Sequence, residues 1–136
     1  MSTDAQVGIV LVSHSGPVAE AVAELARGLA AGGATAPVAA AGGTRAGGLG
    51  TSAELIADAA RSVDAGAGIA VLVDLGSAVL TVKAMLAEGD ELPDGARLVD
   101  APFVEGAVAA LVTASAGGDL DAVAAAASEA YDYRKA

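Results

Sequence analysis

Residues 7–17 read VGIVLVSHSGP. The apolar part, Val7–Val12, has the length and β-branched content of a buried strand, and the small residues and proline after it are typical of a tight turn before a helix. This pattern predicts that His14, the only histidine of the chain, lies at the carboxyl end of a first strand, beside a helix N-terminus. Ligands collect at that rim of open α/β sheets, and a helix N-terminus favours phosphate through its free N–H groups and dipole. An imidazole placed there can accept and release a phosphoryl group.

The composition favours a single globular domain over residues 1–136. Hydrophobic residues make up 54% of the chain and aromatic residues only 2%, so the core must be built from Ala, Val, Leu and Ile. Eighteen glycines and only four prolines suit an α/β protein with many short turns between strands and helices.

Several function classes are excluded or disfavoured. The chain has no cysteine and one histidine, so thiolate zinc sites and the usual sets of nitrogen ligands are unavailable, and we expect no metal. Met1–Asp4 lacks the basic region of a secretory signal, and no apolar run reaches the roughly 18 residues that span a bilayer, so a cytoplasmic protein is expected. The net charge of −10 argues against nucleic-acid binding, which needs clustered Lys and Arg, and is compatible with a basic protein partner.

Apolar strand-like runs alternate with helical patterns along the chain. After Val7–Val12, the runs predict strands at Pro37–Ala40, Ile69–Val73 and Ala96–Val99. The helical patterns cover Pro17–Ala31, a segment opened by the capping-box spacing of Thr51-Ser52-Ala53-Glu54, segments after Ser77 and after Pro102, and about Asp119–Tyr131. The spacing in the first helix places four large apolar residues on one face, namely Val18, Val22, Leu25 and Leu29.

This alternation predicts an α/β fold, a small doubly wound sheet of mainly parallel strands with helices on both faces. If the chain winds one way from strand one to strand two and then back to strand three, the strand order is 2-1-3-4, and the crevice lies between strands one and three. His14 and Asp74 then face each other across it. An aspartate on one ring nitrogen fixes the tautomer and leaves the other nitrogen free to attack, so these two are the candidate catalytic residues.

Simpler roles stay open for the same residues. A lone histidine in a turn is commonly a cap or a surface residue. Short polar side chains often cap helices, and this role is open to Asp74, Ser13, Ser15, Ser77 and Thr51. The glycine-rich stretch Gly42–Gly50 contains no GxxxxGK[ST] motif, and Gly48–Ala53 is at best a degenerate GxGxxA that follows the second strand. We interpret the stretch as a flexible loop near the site.

Four motifs, in this order, resemble the phosphotransferase subunits of the phosphoenolpyruvate-dependent dihydroxyacetone kinases, the DhaM family. They are Ser13-His14-Ser15, Gly42-Gly43-Thr44 with Gly50-Thr51-Ser52, Val73-Asp74-Leu75-Gly76-Ser77-Ala78, and Ala101-Pro102-Phe103-Val104-Glu105-Gly106. The resemblance covers nearly the whole chain and implies the fold of the mannose-type IIA domains of the bacterial sugar phosphotransferase system. Arg45 departs from the family pattern, since acidic residues are expected after Thr44.

The resemblance implies a phosphoryl relay, so that the chain would be a phosphotransferase component. The carrier HPr would phosphorylate His14, which would pass the phosphoryl group to ADP on the DhaL subunit, and DhaL would then phosphorylate dihydroxyacetone bound to DhaK. ADP and ATP would be carried by DhaL, so the resemblance implies that this chain binds no cofactor directly, and Asp74 would orient the imidazole. Phosphate or partner contacts would come from Ser13, Ser15, Gly43, Thr44, Gly76 and Ser77. Some relatives continue into HPr-like and enzyme I-like domains, whereas this chain stops after the IIA-like part, so it is expected to use separate carriers. The resemblance also implies a homodimer.

The main alternative is a mannose-type IIA domain that passes phosphate to a IIB domain for sugar uptake. A non-enzymatic flavodoxin-like binding module is a further alternative, although the aromatics expected around a flavin are missing. A receiver domain needs an acidic pair after the first strand to hold magnesium, a small chelatase commonly needs a second histidine, and a histidine phosphatase needs an arginine just before the first histidine. None of these residues is present.

Overall fold

The computed structural model describes residues 5–30 and 35–136. In chain order the elements are β1 Gly8–Ser13, α1 Gly16–Leu29, β2 Val38–Gly42, α2 Ala53–Val63, β3 Ile69–Val73, α3 Gly76–Glu88, β4 Ala96–Leu98, α4 Phe103–Ser115, α5 Leu120–Glu129 and a short 3₁₀ helix Ala130–Asp132. Met1–Asp4, on which the expectation of no signal peptide rests, and Ala31, the predicted end of the first helix, lie outside the described residues.

The four strands form one parallel sheet in the order β2-β1-β3-β4. The predicted α/β fold and strand order are therefore confirmed. β1 and β3 lie in the middle of the sheet, with Val12 opposite Val73. They read as continuous apolar runs because helices cover both of their faces. The direction of winding reverses between them, so the residues that follow β1 and β3 meet at one rim.

Alternate residues of β1 enter two separate cores. Ile9 and Leu11 pack into the first, with α1, α4 and α5, whereas Val10 and Val12 pack into the second, with α2 and α3. This follows from the period of two along a strand. The other residues of both cores are largely alanine and valine, as the low aromatic content requires. The two cores pack on opposite faces of the central strands and hold the carboxyl ends of these strands in fixed positions.

The buried face of α1 differs from the prediction. Val22 is buried, but Val18, Leu25 and Leu29 are exposed. The residues that face the core beside Val22 are alanines, namely Ala19, Ala23 and Ala26. Large apolar residues define a stripe in sequence, yet the small side chains allow the helix to approach its neighbours closely, and this close packing decided the orientation.

The start of α2 also differs from the prediction. Its N-cap is Ser52, whose hydroxyl accepts a hydrogen bond from the Leu55 N–H at 3.2 Å, so the capping box read from Thr51 is wrong. Because Ala53 is the first helical residue, Glu54 lies too early in the helix to close such a box. Thr51 instead forms a side-chain hydrogen bond with Thr81 of α3 at 3.2 Å.

The other bounds agree with the prediction to within a few residues, and β3 agrees at both ends. β2 begins one residue after Pro37 and extends to Gly42. The last helix changes to 3₁₀ geometry at Ala130. Among the described helices, none combines the length and apolar character needed to cross a membrane.

Candidate functional site

His14 and Asp74 are in direct contact at the rim where β1 and β3 end. His14 follows the last residue of β1, and Asp74 follows the last residue of β3. The Nδ1 atom of His14 lies 2.9 Å from Oδ1 of Asp74. The backbone N–H of Asp74 also donates to the Val12 carbonyl at 3.1 Å, which continues the pairing of the two strands up to the site.

The Asp74 carboxylate is held by four hydrogen bonds. Oδ1 accepts from His14 Nδ1 and from the Leu75 N–H at 2.7 Å, and Oδ2 accepts from the Ser13 hydroxyl at 2.9 Å and the His14 N–H at 3.0 Å. Partial burial works to raise the pKa of this carboxyl, but the hydrogen bonds from His14, Ser13 and Leu75 together outweigh it and lower the pKa below its usual value. Asp74 is therefore ionised at neutral pH. An ionised carboxylate only accepts, so Nδ1 of His14 carries the proton and Nε2 carries the lone pair.

The Nε2 side of the imidazole faces the N-terminus of α3. The side chains of His14 and Asp74 are 24% and 17% exposed, and the hydroxyl of Ser77 contacts Nε2. Since Nε2 carries the lone pair, this hydroxyl donates to it. Leu75 occupies the N-cap position of α3 without a side-chain cap. Within the described part of the chain, the backbone N–H groups of Gly76 and Ser77 have no hydrogen-bond acceptor, as is usual in the first turn of a helix.

The glycine-rich loop lies beside the site, as predicted, and hydrogen bonds connect it to the segment that carries His14. The Gly50 N–H donates to the His14 carbonyl at 2.9 Å, and the Gly43 N–H donates to the Ser13 carbonyl at 3.1 Å. Thr44 closes the loop on itself, because its hydroxyl accepts from the Gly48 N–H at 3.0 Å. Gly43 has φ +68°, and a Cβ there would lie 2.7 Å from the Gly48 carbonyl oxygen, so the turn requires glycine.

The residues predicted to contact phosphate do not all lie beside Nε2. The Ser77 hydroxyl contacts Nε2, and Gly76 precedes Ser77 as the first residue of α3. Ser13 is only 1% exposed, and its hydroxyl is engaged with Asp74. Ser15 caps α1, since its hydroxyl accepts from the Val18 N–H at 3.3 Å. The position of Ser13 contradicts a direct phosphate contact, because its side chain turns inward from the end of β1.

Two features of the site were missed by sequence reasoning. The backbone N–H groups of His14 and Leu75 both donate to Asp74, and no sequence signal identifies backbone donors before the turn geometry is known. Thr81, one turn into α3, donates to the Ser77 carbonyl at 3.2 Å and contacts Thr51. This pair connects the start of α3 to the segment before α2. Its only signal was the spacing of Ser77 and Thr81, four residues apart on one helix face.

Within the described part of the chain, the His14 imidazole does not line the best-formed cavity near the site. A cavity of about 460 Å³ opens beside Asp74, between α3 and the 3₁₀ helix, and its polar lining includes Lys83, Asp100 and Tyr131. His14 is not among its lining residues. The imidazole instead lies on an exposed rim, an arrangement that suits a reaction with a group presented by another molecule rather than the enclosure of a small substrate.

Comparison with known sequences identifies relatives. The family model described as PTS system fructose IIA component, EIIA-man, matches residues 8–124. The phosphoryl donor subunit DhaM of the PEP-dependent dihydroxyacetone kinase from Escherichia coli (strain K12) is 37% identical over 119 residues, which cover 86% of this chain and 25% of that protein. The DhaM subunit of kinase 2 from Listeria innocua serovar 6a is 36% identical over 118 residues, covering 86% of this chain and 93% of that protein. The chain thus spans a quarter of the first relative's length and nearly all of the second's.

Solved structures agree with the sequence comparison. A crystal structure of a protein of unknown function superposes with a TM-score of 0.78 at 32% identity, over 91% of this chain and 94% of that one. A sigma-54 interaction domain protein from Enterococcus faecalis superposes with a TM-score of 0.67 at 18% identity, over 96% and 93% of the two chains, which shows the shared fold alone. With the family match over residues 8–124, these findings show that the chain belongs to the EIIA-man family of phosphotransferase-system IIA components.

Proposed function

We propose that this chain is a phosphohistidine relay, the phosphoryl donor subunit of a PEP-dependent dihydroxyacetone kinase. It accepts a phosphoryl group from HPr on Nε2 of His14 and delivers it to ADP bound on DhaL, which in turn phosphorylates dihydroxyacetone bound to DhaK. The observation that carries the proposal is the contact between Nδ1 of His14 and Asp74, because it leaves Nε2 with a lone pair at an exposed rim. The similarity to DhaM phosphoryl donor subunits supports the kinase assignment.

The chemistry needs no covalent help beyond the imidazole. The Nε2 lone pair attacks phosphorus in line, the N–P bond of the donor phosphohistidine breaks, and its electron pair returns to the donor imidazole. The Nδ1 proton stays in place, so the phosphorylated ring is positively charged and is stabilised by the Asp74 carboxylate 2.9 Å away. In the second transfer a terminal phosphate oxygen of ADP attacks, the N–P bond breaks, and its electron pair returns to Nε2.

The start of α3 supplies the phosphate-binding groups. The N–H groups of Gly76 and Ser77 are free to receive phosphoryl oxygens at the start of α3 in the described structure, and the dipole of the 13-residue helix favours negative charge there. The Ser77 hydroxyl contacts Nε2 in the unphosphorylated protein. It must therefore rotate away before the reaction, after which it can donate to a phosphoryl oxygen. We propose Gly76 and Ser77 as the direct phosphate contacts, with Gly43, Thr44 and Ser15 shaping the surrounding surface.

Exposed leucines in the segments around His14 and Asp74 are proposed to contact the partner proteins. Leu75 is 61% exposed next to Asp74, and Leu80 is 70% exposed three residues after Ser77, on the same side of α3. Leu49 is exposed in the loop that is bonded to the His14 carbonyl. Grouped exposed apolar side chains mark interaction sites, whereas isolated ones are ordinary. We therefore expect a protein that brings its reactive atom to Nε2 to cover these residues.

The charge of the chain favours a partner that presents the nucleotide. A net charge of −10 repels free ADP, which is itself an anion. Binding of ADP to DhaL would overcome that repulsion through contacts between the two proteins. A homodimer, which rests on the family resemblance alone, and a cytoplasmic location, which rests on the lack of a basic signal region and of a bilayer-length apolar run, are part of the same proposal.

The test follows the phosphoryl group from phosphoenolpyruvate to dihydroxyacetone. The chain is incubated with phosphoenolpyruvate, enzyme I and HPr, and the adduct is located by mass spectrometry. It is expected on His14, labile in acid and stable in base, and absent from His14→Ala. The isolated phosphoprotein should be inert towards free ADP, whereas DhaL with ADP should yield ATP, and further addition of DhaK with dihydroxyacetone should yield dihydroxyacetone phosphate. Efficient transfer to a IIB domain with none to DhaL–ADP would overturn the kinase assignment, and an adduct that persists in His14→Ala would overturn the histidine relay.

A further inference from the structure

Ser13 lies behind the reactive pair and does not face the partner side. It is the last residue of β1, and its side chain is 1% exposed. Its hydroxyl forms two hydrogen bonds, one with Asp74 Oδ2 at 2.9 Å and one with the Ser15 N–H at 3.1 Å. Its carbonyl accepts from the Gly43 N–H. Ser13 is therefore anchored by backbone groups on both sides of the site.

The chemistry of Asp74 and of the Ser15 N–H determines which group donates in each hydrogen bond of the Ser13 hydroxyl. An ionised carboxylate can only accept and a backbone N–H can only donate. The Ser13 hydroxyl proton must therefore point to Asp74, and an oxygen lone pair must point to Ser15. A serine hydroxyl has one proton, so its donor capacity is fully used at Asp74. This hydroxyl cannot also donate to a phosphoryl group.

The Ser13 hydroxyl and the His14 imidazole bind different oxygens of one carboxylate. Oδ2 is held by Ser13 and by the His14 N–H, and Oδ1 is left to receive the imidazole and the Leu75 N–H. The two backbone donors, the N–H groups of His14 and Leu75, lie in the segments that follow β1 and β3. Among the described residues, the Ser13 hydroxyl is the one side-chain donor to Asp74 besides the imidazole. A carboxylate can rotate about its last side-chain bond, which has a broad torsional preference. The Ser13 bond restricts this rotation from the side remote from the imidazole.

We propose that Ser13 is a positioning residue, which holds the Asp74 carboxylate in the plane that keeps the proton of His14 on Nδ1 and the lone pair on Nε2. This inference deepens the proposed function and rests on it, since the position of the lone pair matters only if Nε2 is the phosphoryl acceptor. Ser13 does not touch the partner or the phosphoryl group. Its loss should change how well the imidazole attacks and leave partner binding as it is.

The first test measures the tautomer in the unphosphorylated protein. Because His14 is the only histidine, ¹⁵N NMR of the labelled protein reports its two ring nitrogens without interference. The wild type is expected to show a protonated Nδ1 and an unprotonated Nε2 at a pH where the ring is neutral. Ser13→Ala is expected to show averaged shifts from a mixture of tautomers. Ser13→Thr, which keeps the hydroxyl on a β-branched residue suited to a strand, is expected to restore the wild-type shifts.

The second test separates attack from binding. With phospho-HPr as donor, Ser13→Ala is expected to lower kcat about tenfold, the equivalent of about 1.4 kcal/mol of lost transition-state stabilisation, and to leave KM unchanged. Ser13→Cys, with a similar shape and a weaker donor, should lie between the Ala variant and the wild type, and it serves as the test if the Ala variant does not fold. Wild-type nitrogen shifts and wild-type kcat in a folded Ala or Cys variant would overturn the inference, even if the variant unfolds more easily. A wild type with the expected tautomer that accepts no phosphoryl group would instead overturn the proposed function.

Discussion

The Asp74 carboxylate lies 2.9 Å from Nδ1 of His14, although the two residues are 60 positions apart in the chain. The contact exists because β1 and β3 are hydrogen-bonded neighbours whose carboxyl ends stop at the same level. A small displacement of either strand would separate the two side chains. The precision of the site therefore depends on the packing of the two central strands.

Asp74→Asn is expected to slow phosphorylation of His14 by about two to four orders of magnitude. An amide presents one acceptor and one donor where the carboxylate presents two acceptors, so it competes with the donors that converge there and favours the tautomer with the proton on Nε2. A wrong tautomer at an equivalent Asp–His pair in serine proteases has an effect near the upper end of this range. The rate is measured by rapid quench with phospho-HPr.

The matched control for this variant is Asp100→Asn. Asp100 lies just after β4 at the same rim and bonds to Tyr131 at 2.7 Å, away from the imidazole. The Asp100→Asn variant loses the same charge as Asp74→Asn, and its His14 should be phosphorylated at the wild-type rate. If both variants slow transfer equally, then Asp74 acts through general charge and not through the orientation of His14.

Stability is expected to fall in acid partly because of Asp74. Its pKa is lower in the folded chain than the ordinary value of about 3.9 for an unfolded aspartate. Its hydrogen bonds therefore contribute stability above about pH 4, and this contribution is lost as the pH falls through the lower folded pKa. Urea unfolding between about pH 6 and pH 3 should show a steeper loss for the wild type than for Asp74→Asn. Parallel curves for the two proteins would contradict this linkage.

Partner docking is expected to depend on the exposed leucines beside the site. The double variant Leu75→Ala and Leu80→Ala should raise KM for phospho-HPr about tenfold, as the loss of about 1.4 kcal/mol of interface energy would. Phosphorylation by a small donor such as phosphoramidate should be unchanged, because a small molecule does not need the leucine surface.

The control for docking is Leu29→Ala, an equally large and exposed side chain at the far end of α1. It should leave both reactions unchanged. Slower reaction of the double variant with phosphoramidate would show that the leucines support the imidazole itself and are not a docking surface.

Gly42→Ala is expected to destabilise the protein and to displace the His14 turn. A Cβ at this position would lie 2.7 Å from the Gly16 Cα and would also meet the Ser15 carbonyl oxygen, both of them backbone atoms that cannot move independently. We expect a loss of about 1–3 kcal/mol in the free energy of unfolding, as for other overpacked positions, and a drop in phosphotransfer.

The control is Gly28→Ala in α1, where a Cβ meets nothing within 4 Å. Because alanine favours a helix over glycine, it should stabilise by about 0.5–1 kcal/mol. Unfolding curves in urea provide both values. Equal stability of the Gly42→Ala variant and the wild type would show that the turn can relax around the added methyl group.

Local patterns in the sequence were sufficient for the elements and for half of the site. The apolar run before His14 and the small residues after it placed the histidine correctly, since a strand and a helix start are each encoded within a few neighbouring residues. β3 was predicted at both of its ends for the same reason. The buried face of α1 was not predicted correctly, because both candidate faces are apolar. The burial of the alanine face depends on which neighbouring elements the helix must approach.

The sequence by itself determined an alternating α/β chain with one histidine at a strand end, and thus the type of chemistry available at that rim. Only the tertiary structure decided that Asp74 holds Nδ1, that Ser13 turns inward to Asp74, and that the start of α3 reaches Nε2 through Ser77. Each of these contacts joins residues about 60 positions apart. Their geometry follows from the order and register of the strands, which arise when both faces of the sheet are packed at once and cannot be read from the neighbours of any single residue.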